Sequence, residues 1–143
     1  MSLIRTVITS LCLLFASDGL LAQVMVASPD GRTVFSVQVN DRHELRYGVT
    51  FGGEPVIRES ALGLRFRDQA GFDTGFDVLE AALGSHDEQW EQPWGERRVV
   101  RNHYNQMLLM LGDAAGRRFN LRIRVFNDGL GFRYEVPAQE GFE

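Results

Sequence analysis

The chain has 143 residues, 44% hydrophobic and 24% charged, a composition that suits one soluble domain and leaves no room for a second core. Its net charge of -4 gives no footing for nucleic acid, whose binding rests on clustered cations that neutralise phosphates. All 15 basic residues are arginine, so Schiff-base chemistry and a phosphate-binding P-loop lysine are excluded from this chain.

Residues 1–22 read as a Sec signal peptide: Arg5 in a short start, an apolar run from Leu11 to Phe15, and small residues towards Ala22. The run is too short to cross a bilayer. The expectation is therefore export to the periplasm or beyond, with no membrane span after cleavage and residues 23–143 as the mature domain. Cys12 lies in the signal segment, which leaves the mature chain without disulfides or thiolate chemistry.

From Thr33 the apolar pattern has period two. Phe35, Val37 and Val39 share one side of a strand, and Leu45, Tyr47, Val49 and Phe51 share one side of the next, with Asn40–Glu44 as the turn. Gly52-Gly53 turns into Pro55-Val56-Ile57. Leu62, Leu64 and Phe66 alternate with Gly63, Arg65 and Arg67 as a half-exposed strand, and Phe76 and Val78 begin another. Asp77–Gly84 offers a weak helical alternative. After a Trp-rich loop, Arg98–Leu111 reads as a strand, because no 3.6-residue stripe links Val99-Val100 to Met107–Leu111. Phe119, Leu121, Ile123 and Val125 alternate with polar residues. Asn127-Asp128-Gly129 is the strongest hairpin signal, and Phe132, Tyr134 and Val136 follow it. About eight short strands, with turns every 8 to 12 residues, predict an all-β antiparallel sandwich, incomplete where the chain stops just after a strand. The predicted core is Phe35, Val37, Leu45, Tyr47, Val49, Leu62, Leu64, Phe66, Leu121, Ile123, Val125, Phe132 and Tyr134.

The segment Asp87–Met110, DEQWEQPWGERRVVRNHYNQMLLM, concentrates both tryptophans, four carboxylates and a His-Tyr pair flanked by asparagines. Glycoside hydrolysis needs two carboxyl groups across the scissile bond and aromatic surfaces for the sugar, and Asp87, Glu88, Glu91 and Glu96 crowd around Trp90 and Trp94. An acidic solvated loop with tryptophan anchors in the core accounts for the same residues. His43, His86 and His103 are dispersed, so no zinc site is expected, and no nucleophile elbow or triad is found.

DEQWEQPWGE followed by RNHYNQ resembles the signature in the N-terminal domain of glycoside hydrolase family 97, the exo-acting α-glucosidases and α-galactosidases of bacterial polysaccharide utilisation. The likeness extends from about Ser28 to Pro137, with SPDG near its start and RVFNDGLGFRYEVP near its end. Gln106 stands where the family usually has Glu. The resemblance implies a galactose-mutarotase-like supersandwich, truncated before a C-terminal (β/α)8 catalytic barrel that carries the acid and base. On that basis no catalytic residue is expected in this chain, whose role would be to support the barrel and the pocket for an α-linked oligosaccharide. Calcium would belong to the full-length protein, bound chiefly by barrel carboxylates, with no cofactor or metal held here. The resemblance also implies that Trp94, Glu96, Asn102, His103, Tyr104 and Asn105 face the domain interface or pocket. A buried polar network tying the segment to the sheet is the competing account of the same residues. A stand-alone periplasmic sandwich that binds carbohydrate or a protein partner is the alternative for the whole chain.

Overall fold

The computed structural model describes residues 23–68 and 70–140, so the signal-segment reading of residues 1–22 lies outside the described residues. Eight strands run in order: β1 (Val24–Ala27), β2 (Thr33–Val39), β3 (Leu45–Phe51), β4 (Glu54–Leu62), β5 (Phe76–Glu91), β6 (Val99–Asp113), β7 (Arg118–Phe126) and β8 (Gly129–Glu135). They form two antiparallel four-stranded meanders, β1-β2-β3-β4 and β5-β6-β7-β8, stacked as a sandwich. The all-β expectation holds. The helical alternative over Asp77–Gly84 does not, because each of those residues but the bulged Leu79 pairs with β6.

The core is the set of inward positions from both sheets, which alternation selects because successive side chains on a strand point to opposite faces. Phe35, Val37, Leu45, Val49 and Leu62 from one sheet meet Met107, Leu109, Leu111, Phe119, Leu121, Ile123 and Val125 from the other, all buried. Aromatic contacts lock the layers: Phe35 stacks on Tyr47 at 5.5 Å, and Phe132 touches both at 6.2 and 5.8 Å. Phe66 and Phe132, expected in the core, remain 40% and 37% exposed. The strand predicted through Leu62, Leu64 and Phe66 ends at Leu62. Beyond it Leu64 makes only an isolated bridge to Phe72, and Phe66 reaches the core edgewise through that same ring at 5.8 Å.

Strand β5, with 16 residues, runs far past the short strand expected to begin at Phe76 and Val78, whereas β6, with 15, matches the strand read over Arg98–Leu111. A bulge at Leu79 re-phases β5. Before it, Phe76 and Val78 oppose Asp113 and Leu111; after it, Glu80 opposes Met110 and Ala81 opposes Leu109. The inward positions of β5 therefore change from even to odd numbers, which no uniform period-two reading of that stretch can supply.

Candidate functional site

Strand β7 pairs with β6 only from Asn105 to Gly112. Beyond that, β5 and β6 continue alone through six pairs, from His86 opposite Tyr104 to Glu91 opposite Val99. At about 3.4 Å per residue, this two-stranded arm reaches roughly 20 Å past its neighbour strand. The Trp-rich segment is thus a hairpin arm rather than a loop, with only Gln92–Arg98 as its tip. Gly95 holds a φ of 115° there, a region open chiefly to glycine. The tip is closed by the Gln92 amide N–H donating to the Arg98 carbonyl at 2.8 Å and by the Gln92 side chain donating to the Arg97 carbonyl at 3.0 Å.

The six residues singled out from sequence fall into three groups. Trp94 and Glu96 lie at the tip, Trp94 81% exposed. Asn102 and Tyr104 share one face of β6 with Val100, while His103 and Asn105 share the other with Arg101. Asn105 reaches across the sandwich: its Nδ2 donates to the Ala27 carbonyl at 2.9 Å and ties the arm's base to β1. Tyr104 is buried on the outer face of the second sheet. The His86 ring stacks on it at 5.0 Å, Phe126 tilts against it at 5.2 Å, and the Arg124 guanidinium lies over it at 4.6 Å. The tip residues and the two strand faces do not form one constellation.

Two of the arm's four carboxylates, Asp87 and Glu91, are paired with arginines. Asp87 accepts two hydrogen bonds from Arg101, at 2.8 and 2.7 Å, and Glu91 accepts from Arg98 at 3.0 Å. Glu88 sits 3.2 Å from His86 Nε2. The Arg101 hydrogen bonds hold the Asp87 carboxyl below its ordinary value, against the small opposing effect of burial. A general acid needs the opposite displacement. Among the described residues no three His, Cys, Asp or Glu side chains come together for a metal ion. Gln106, two residues beyond Tyr104 in β6, adds no carboxylate.

The arm does not stand alone at its end of the sandwich. Asn127 Oδ1, in the β7–β8 turn, accepts the Asp30 amide at 3.0 Å, and the Gly52 amide donates to the Arg32 carbonyl at 2.8 Å. These bonds gather the β1–β2, β3–β4 and β7–β8 turns beside the arm's base. Between them an open cavity of about 370 Å³ is floored by Phe51, Val56 and Leu130 and rimmed by Asn127 and Asp128. Sequence reasoning missed the layer of His86, Arg124 and Phe126 around Tyr104. The alternation of β7 already placed Arg124 and Phe126 on one face, but only the register of β5 against β6 brings His86 to the same ring.

Residues 26–143 match the sequence profile of the family described as Glycosyl-hydrolase 97 N-terminal. The chain is 26% identical over 120 residues, 84% of its own length and 17% of the relative's, to a retaining alpha-galactosidase of Bacteroides thetaiotaomicron. A glycoside hydrolase family 97 enzyme from a Pseudoalteromonas species, solved in complexes that include panose and acarbose, superposes with a TM-score of 0.76 at 34% identity, over 82% of this chain and 18% of its own. A beta-arabinopyranosidase, 23% identical with a TM-score of 0.74, shares the fold over 82% of this chain and 19% of its own. The chain spans less than a fifth of the length of each of these relatives.

Proposed function

This chain belongs to the glycosyl-hydrolase 97 N-terminal family, and on that premise we propose that it is the non-catalytic sandwich of an exported α-glycosidase, built to brace a separate catalytic barrel and help shape its sugar pocket. The observation that carries the reading is the arm. A two-stranded ribbon is at best marginally stable in water, and this one ends in a tryptophan 81% exposed, with Trp90 also 43% exposed. Such a device repays its cost when its rings are buried against a second body. The cation-paired carboxylates of the arm support a binding role over an acid-base role. Calcium, in this reading, is held by the barrel alone.

The test adds a separately produced family 97 catalytic barrel to the 143-residue chain in trans. Association should be measurable by calorimetry, should weaken at least tenfold in Trp94→Ala, and should raise turnover of an α-glucoside or α-galactoside. No association with a barrel that is itself folded would end the bracing role. A folded isolated chain that binds maltooligosaccharides but no barrel would favour the stand-alone carbohydrate-binding sandwich instead.

A further inference from the structure

We propose that the outer face of the β7–β8 hairpin carries a binding site for an acidic sugar unit, a pyranose bearing a carboxylate or a sulfate. The proposal does not rest on the docking role: no residue of the arm's tip lines the cavity, and from the arm only the Tyr104 ring, at its root, lies against one of the lining arginines. Arg122, Arg124 and Arg133 surround an open cavity of about 300 Å³ that Phe126, Gly131 and Phe132 complete. Arg122 and Arg133 are directly opposite in register, an arrangement of like charges that costs a sheet stability. Glu135 offsets part of that repulsion: it takes two hydrogen bonds from Arg122, at 2.6 and 3.1 Å, and one from Arg133 at 2.8 Å. Arg124 has no carboxylate partner among the described residues, and its guanidinium carbon lies over the Tyr104 ring at 4.6 Å. Three arginines thus line one cavity while Glu135 is the one carboxylate that bonds any of them among the described residues, on a chain whose net charge is -4. An anion supplied from outside relieves that imbalance, and planar guanidinium forks suit a carboxylate or sulfate best.

The cavity argues for a sugar rather than a bare anion. Opposite Arg124 the strand carries Gly131, where an added Cβ would meet nothing within 4 Å, so the floor is open backbone. That leaves more space than a sulfate ion fills, and Phe126 among the lining residues adds an apolar surface suited to the C–H face of a pyranose. The guanidinium of Arg122 and that of Arg133 are already oriented by Glu135, so little order remains to be imposed on binding.

The test is calorimetry on the 143-residue chain, its fold checked by circular dichroism, with methyl glucuronide, glucose 6-sulfate, methyl glucoside and sodium sulfate as probes. Both acidic sugars are expected to bind at least tenfold more tightly than sodium sulfate, and methyl glucoside not to bind. Arg124→Gln, which leaves the Glu135 pairs intact, and Gly131→Val, which fills the cavity while keeping every charge, should each weaken the acidic sugars at least tenfold. Raised salt should weaken binding in parallel. Preference for one acidic sugar alone identifies the source of the anion and supports the site. Equal binding of sodium sulfate, equal binding of methyl glucoside, no binding by the folded chain, or full binding by both variants would each overturn it.

Discussion

Met107 and Leu83 show how much a side chain's value depends on what lies over it. They are direct partners across β5 and β6, yet Met107 is fully buried under the first sheet while Leu83 is 64% exposed. Met107→Ala should cost roughly 2 to 5 kcal/mol, the range for emptying a packed core position, whereas Leu83→Ala should stay within about 0.5 kcal/mol. Urea denaturation of the two variants checks this. Asp113 carries a second prediction at this scale. Burial pushes its carboxyl up, but hydrogen bonds from the Arg117 side chain, at 2.6 Å, and from the Arg117 and Ala115 amides outweigh it and hold the pKa below the ordinary 3.8. Glu135 is held below 4.5, chiefly by the Arg122 hydrogen bonds. With the folded values depressed, the unfolded chain binds more protons across this range. The stability these groups contribute is therefore present above about pH 4.5 and is lost as the pH falls through their lower folded values. Asp113→Asn should flatten the acid limb of a stability-against-pH curve below about pH 4, and an unchanged limb would contradict the assignment.

At the scale of the element, the arm divides into a rooted base and a free end. Tyr104 is the root, closed in by His86, Phe126 and Arg124, and Asn105 adds the bond to Ala27. Tyr104→Ala should destabilise the chain by about 3 kcal/mol, as truncating a packed aromatic does, while Trp94→Ala should leave its melting temperature within a degree or two. Amide exchange followed by NMR should grade the same way. The ribbon lacks a third strand from Val99 to Tyr104, so its amides should exchange at least a hundredfold faster than those of Leu109 and Leu121. Uniform protection along β6 would mean that the arm is not a separable element. Protection that appears on the ribbon when a catalytic barrel is added would locate the docked surface on it.

At the scale of the whole molecule, the surfaces proposed to bind lie at one end of the sandwich and on one face. The arm, the turns at its base and the arginine-lined outer face all lie away from the closed core, where Ser28 and Thr33 are the buried polar residues among those described. The isolated chain should show no turnover of p-nitrophenyl α-glucoside or α-galactoside. Glycosidic acid and base must sit on opposite sides of a bound sugar at about 5 to 9.5 Å, and carboxylates held by Arg98 and Arg101 on a free ribbon do not meet that demand. Turnover that Glu96→Gln abolishes would place chemistry in this chain after all.

Alternation by itself determined the class of fold and most of the core, because inward and outward positions on a strand are fixed by the two-residue period wherever one face is buried. Phe35 through Val49 and Leu121 through Val125 were legible for that reason, and the motif DEQWEQPWGE with RNHYNQ was enough to name the family. Only the tertiary structure decided the rest. The bulge at Leu79 changed the phase of β5, and pairing turned Asp87–Glu91 from a loop into the far end of β5, laid along the strand already legible from Arg98 onward. Asn102 to Asn105 looked like one cluster in sequence, but a strand sends neighbours to opposite faces, so Tyr104 joins Arg124 while Asn105 joins Ala27. Those partners come from strands 20 and 78 residues away, and register, a property of pairing between distant segments, is what selects them.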